Sequence, residues 1–156
     1  MVDVQTVSIA VASAGVFAAA IYYIFQIRHQ TKLRQMDLVM RLYSTYNSRE
    51  FVEAGIRLLA ADFKNCNEFV AKYGSIPSET PVQIAFAIVT SFFEEVGELL
   101  HKKLIDIELI EEMFAVKMYW EKTEPVIMDL RKQFTPKYYE WFEYLYNELK
   151  KREQQK

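Results

Sequence analysis

Three side chains in this sequence have types and spacing that could hold a metal. Glu98 and His101 stand in the Glu-x-x-His spacing, with Glu94 one turn earlier. In a di-metal bundle that spacing offers a carboxylate and an imidazole from one helix to one ion. A complete site needs two such motifs and further carboxylates, yet the only other histidine is His29. Glu94, Glu98 and His101 are therefore candidate metal ligands of half a motif, which a second copy of the chain would have to complete. The same three residues also read as a solvated charged stripe. Cys66 follows Lys64 and Asn65 with no histidine close in sequence, and no Gly-x-Ser-x-Gly turn presents a serine nucleophile. No glycine-rich phosphate loop occurs. The reading is of a chain with no catalytic residue and no cofactor, a metal-binding enzyme on Glu94, Glu98 and His101 being the alternative.

Other residues suggest architecture. Glu95 is expected on the apolar side of its helix, between Ile84, Ile88 and Leu99, where a carboxylate needs a partner or a proton. Trp120, Glu121, Arg131, Trp141 and Glu143 are the remaining conspicuous residues. Arg131 and Arg41 are the candidate partners for Glu95 or Glu121, as pairs that fix the helix arrangement.

These residues must be positioned by helices. With 156 residues the chain has room for one domain and an anchor. Four glycines and four prolines leave little for hairpins, while 15% aromatic residues demand burial. A formal net charge of -2 argues against a nucleic-acid partner, and one cysteine cannot form an intramolecular disulfide.

Residues 4–27 carry no charge. As a helix they would extend about 35 Å at ~1.5 Å per residue, enough to cross a bilayer core. The segment lacks the basic start of a cleaved secretory peptide, so a retained anchor is expected. Arg28, Lys32 and Arg34 follow it while only Asp3 precedes it. That bias predicts a single-pass protein of the cell membrane, N-terminus outside and C-terminal domain cytoplasmic. Tyr22 and Tyr23 fall near the inner interface. Ala10, Ala14, Gly15 and Ala18 repeat at the spacing that lets two membrane helices approach, so the expected partners are the bilayer and a second copy or another membrane protein.

The expected organisation is a transmembrane anchor over 1–27, a helical stalk over 28–46 and a helical domain over 47–156. Leu33, Met36, Met40, Tyr43 and Tyr46 set the stalk's apolar period. Asn47 and Glu50 suggest a capping box for the next helix. A short segment over 68–73 closes at Gly74, and a proline-bearing loop precedes a helix over 81–103 with Thr80 as cap and Pro81 in its first turn. Its apolar face is predicted as Ile84, Ile88, Phe92, Val96, Leu99 and Leu100, with Gln83, Thr90, Glu94, Glu98 and His101 opposite. Asp106 caps a further helix carrying Phe114 and Trp120, Pro125 starts or kinks the next segment, and Thr135 with Pro136 opens the last. The fold class is all-α, a compact irregular bundle of about five helices behind the anchor.

An N-terminal anchor, the run 93–99 (Phe-Glu-Glu-Val-Gly-Glu-Leu), Leu104-Ile105-Asp106, Trp120-Glu121 with Pro125 and Arg131, and the run 141–145 (Trp-Phe-Glu-Tyr-Leu) occur together. Over most of the chain this resembles a family of uncharacterised prokaryotic proteins, known as a domain of unknown function behind a single membrane helix. The resemblance implies a cytoplasmic helical domain and supplies no catalytic residues.

Overall fold

A computed structural model describes residues 3–155, and all the regular structure among them is helical. Helix α1 spans Val4–Tyr46, α2 Arg49–Ala60, α3 Cys66–Tyr73, α4 Pro81–His101, α5 Ile107–Met113, α6 Val116–Gln133 and α7 Glu140–Glu153. Met1 and Val2 of the expected anchor, and Lys156 of the tail, lie outside the described residues. The chain divides into two units, one up to Asp37 and one from Leu38 onward.

In the first unit α1 has no tertiary support. Every residue from Val7 to Arg34 is exposed, and an 18-residue window reaches a mean hydropathy of 2.0 with none of it buried. This helix is long and apolar enough to cross a membrane. Three of its hydroxyls bond back along the helix: Ser8 Oγ donates to the Val4 carbonyl (3.0 Å), Ser13 Oγ to that of Ile9 (2.8 Å) and Thr31 Oγ1 to that of Ile27 (2.9 Å). Each of these is thus satisfied without water.

The second unit begins inside the expected stalk. Val39 and Leu42 are buried and Tyr46 partly so, whereas Leu33, Met36, Met40 and Tyr43 are exposed. The buried stripe therefore differs from the predicted one, and residues 38–46 belong with the bundle. Helix α4 is central, packed on α2 and α7, while α6 lies against α3, α4 and α7. Aromatic rings fill the middle: Phe93 stacks on Phe142 (5.0 Å), Phe51 meets Phe92 (4.8 Å), and Trp120 meets Phe142 edge-on (5.0 Å).

The central position of α4 turns it away from its predicted orientation. Its buried residues are Gln83, Ala85, Phe86, Val89, Thr90, Phe92, Phe93, Val96, Gly97 and Leu100, while Ile84 is 47% exposed and Glu95 is exposed. At ~100° per residue the buried arc is centred about 90° from the predicted one. Two neighbours require an arc wide enough to take in Thr90, whose hydroxyl donates to its own helix at the Phe86 carbonyl (2.7 Å). Gln83 is buried because it ties down the loop before α4. Its Oε1 accepts from the Ser78 N–H (2.8 Å), and its Nε2 donates to the carbonyls of Tyr73 and Gly74.

Helix ends also depart from expectation. Ser48, one residue after Asn47, caps α2 by accepting from the Phe51 N–H (3.2 Å). Asn65 caps α3 in the same way through Glu68 (2.9 Å), and Gly74 closes it with φ 91°. Thr80 and Asp106 stand at cap positions without a side-chain cap bond. The helix expected after Asp106 breaks at Phe114 and Ala115, where the Ala115 N–H donates to the Tyr46 hydroxyl (3.3 Å). Pro125 lies inside α6 rather than starting a segment, and α7 begins at Glu140, after the turn that holds Thr135 and Pro136. Among the described residues six helices follow α1, in keeping with the expected bundle of about five.

Candidate functional site

The predicted residues that come together in the second unit do so along the seam of α4 and α7, and Gly97 makes that seam. A Cβ there would collide with the Trp141 carbonyl oxygen and stand 3.1 Å from Trp141 Cβ, so the two backbones approach closely only over glycine. The approach brings the start of α7 beside Glu94. Tyr139, the residue before α7, is in the left-handed region (φ 54°, ψ 41°), and its side chain makes no cap bond. The cap comes from α4 instead: the Phe142 N–H donates to Glu94 Oε2 at 2.8 Å. A carboxylate suits this place because the first amides of a helix lack partners and the helix dipole is positive there.

Burial pushes the Glu94 carboxyl above the usual range. The amides of Phe142 and Trp141 pull it down, and more distantly Glu140 raises it while Arg131 lowers it. On the other side of the turn, Arg131 Nε donates to the Tyr138 carbonyl (2.8 Å) and its Nη2 to that of Tyr139 (3.0 Å), while Nη1 pairs with Glu143. The guanidinium fork therefore clamps the turn before α7 and the first turn of the helix itself.

The metal candidates are dispersed by these contacts. Glu94 is taken by α7, Glu98 pairs with Lys102 (2.6 Å), and the exposed His101 lays its ring 4.2 Å from that of Trp141. Among the described residues no three His, Cys, Asp or Glu side chains are placed to hold an ion. Glu95, predicted on the inner side, is exposed at the rim of a cleft with Thr45, Ser48 and Phe92. Glu121 is exposed too, so neither carboxylate requires Arg41 or Arg131 as a buried partner, and Arg131 serves Glu143 instead. Trp120, 1% exposed, is core, and Trp141 is half-buried at the seam. Cys66 is buried, and burial pushes its thiol up, away from nucleophilic use. The wider clefts, about 420 Å³ beside Arg49, Glu53 and Arg57 and about 410 Å³ beside Glu111, Lys117 and Glu153, are open troughs of mixed charge.

Sequence reading missed Glu94 as a cap, Gly97 as a contact point, and Arg152, which bonds Glu111 (2.9 Å) and Glu108 (3.0 Å) to tie α7 to α5. An isolated glycine within an apolar helix was the available signal for the seam.

In the first unit Ala10, Ala14, Gly15 and Ala18 are all exposed, and nothing lies within 4 Å of a Cβ placed on Gly15. Compared with known proteins, the chain matches the family model described as domain of unknown function DUF4760, over residues 10–149. No curated protein and no solved structure matches it.

Proposed function

We propose that this chain, which belongs to the DUF4760 family of domains of unknown function, is a membrane-tethered helical interaction module that works by gathering a partner, not by catalysis. One observation carries the reading: the apolar stretch of α1 is exposed at every residue from Val7 to Ile27, with a mean hydropathy of 2.0. Isolated in water, such a surface would aggregate, and a bilayer is the solvent that matches it. The engagement of Glu94, Glu98 and His101 with other groups of the chain supports a role in binding over metal chemistry.

In this reading Arg28, Lys32 and Arg34 keep the C-terminal side in the cytoplasm. The small residues Ala10, Ala14, Gly15 and Ala18 offer the contact for a second copy or another membrane helix. Alkaline carbonate extraction tests the anchor: the chain should stay with the membrane pellet, and release into the supernatant would sink the proposal. Protease added to sealed, inverted vesicles should remove a C-terminal tag. In mild detergent, Ala14→Leu with Gly15→Leu should convert an oligomer or complex to monomer, and a parent chain that is already a partnerless monomer would remove the interaction role.

A further inference from the structure

We infer that residues 28–34 form a cationic collar that binds anionic phospholipid headgroups, an inference that rests on the membrane reading above. The collar's charge comes from Arg28, Lys32 and Arg34, which with His29 between them are all four exposed, in a stretch with no acidic residue between Asp3 and Asp37. None of the four is ion-paired among the described residues. Outside the collar, Arg49, Lys72, Lys102, Arg131 and Arg152 each have a carboxylate within 3.0 Å, whereas Arg57, Lys64, Lys103 and Lys137 stand singly along the bundle without an ion pair among the described residues. The collar's cations therefore lack an internal counter-charge.

Their placement supplies an external one. The collar starts at the residue after Ile27, where the uncharged run ends, and follows the edge-on ring pair Tyr22 and Tyr23 (6.4 Å). Tyrosines of this kind settle at the level of the headgroups. Residues 28–34 rise about 9 Å at ~1.5 Å per residue. The polar layer on each side of a bilayer is ~5 to 8 Å deep, from a core of about 30 Å within a total of about 40 to 45 Å. At ~100° per residue Arg28 and Lys32 lie about 40° apart and Arg34 stands on the opposite side, so positive charge flanks the helix on two sides. A band of cations at phosphate depth matches lipids whose headgroups carry net negative charge. Zwitterionic lipids offer the same phosphate with a compensating ammonium, and so compete poorly.

The test uses the full chain reconstituted in phosphatidylcholine vesicles containing a minority of phosphatidylglycerol, with spin-labelled forms of each lipid as probes. The immobilised fraction should favour phosphatidylglycerol by at least about threefold, well within the roughly fivefold per residue that ~1 kcal/mol for each basic side chain represents. The variant Arg28→Gln, Lys32→Gln, Arg34→Gln should float with the vesicles equally well and lose the preference. Raising sodium chloride to about 1 M, where the screening length is ~3 Å, should also diminish it. An incorporated parent chain without preference, or a triple variant that keeps it, overturns the collar and leaves the anchor standing. A chain that does not float with vesicles overturns both. If inorganic phosphate abolishes the preference where sodium chloride of equal ionic strength does not, the collar reads free phosphate and the lipid assignment fails.

Discussion

Two adjacent glutamates show how finely one helix separates roles. Glu94 supplies the missing cap of α7, while Glu95, one position on, faces water. Glu94→Ala should lower stability by about 1 to 2 kcal/mol, the usual effect of losing a helix cap, and Glu95→Ala by no more than about 0.5 kcal/mol. Thermal unfolding of the full chain in detergent, followed by tryptophan fluorescence, checks this, since Trp120 and Trp141 both report on the neighbourhood of α7. Equal losses would refute the cap. The same carboxyl has a pH signature. Because burial raises its pKa in the folded chain, the folded state binds this proton more tightly than the unfolded state does. Its contribution is therefore complete below the ordinary carboxylate value and declines as pH rises through the raised one. Glu94→Gln keeps an acceptor for the Phe142 amide without the charge, so the parent should lose more stability than this variant as pH rises from about 4 to 7. Parallel pH profiles would contradict the assignment.

At the level of elements, the contact of α4 with α7 depends on an absent side chain. Gly97→Ala would place a methyl group against the Trp141 carbonyl. A backbone cannot rotate away as a side chain can, so the helices must separate. The expected cost is about 1 to 3 kcal/mol, as for overpacked cores, despite alanine's better helix propensity. Chemical denaturation of the variant in detergent measures it, and a stability equal to or above the parent's would show that the seam yields easily. Much of this level was legible in the sequence: the number of helical segments, the closing of α3 at Gly74 and the proline start of α4 all follow from local rules. Helix rotation was not legible. An apolar ladder of Ile84, Ile88 and Leu99 is as regular as the true one of Phe86, Val89, Phe93 and Val96, and only the presence of neighbours on both sides decides between them. The break at Phe114 and Ala115 was hidden for a similar reason, since the Tyr46 hydroxyl that receives the freed amide comes from a distant segment. Arg131 was singled out by type and position, but its partners were not, because carbonyls of a turn carry no sequence signature.

For the whole molecule, the division at Asp37 makes a direct prediction. A chain starting at Leu38 should remain in aqueous solution and unfold cooperatively, since the aromatic core draws on residues from Val39 onward. Size-exclusion chromatography with a thermal melt decides it, and aggregation of this fragment would show that the second unit does not fold on its own. The bond from Ala115 to Tyr46, together with the Phe93 and Phe142 stack, also imposes an order on biosynthesis. Tyr46 leaves the ribosome before its ring neighbours Phe92, Phe93 and Phe114, and Phe142, which stacks on Phe93, follows later still. At a translation rate of roughly 5 to 20 residues per second, the interval from Tyr46 to Phe142 is about 5 to 20 s. During that time the apolar helix is already outside the ribosome, while the bundle cannot yet close. If α1 enters a bilayer as proposed, its delivery is decided by its own sequence while the residues that close the bundle are still an unfolded nascent tail.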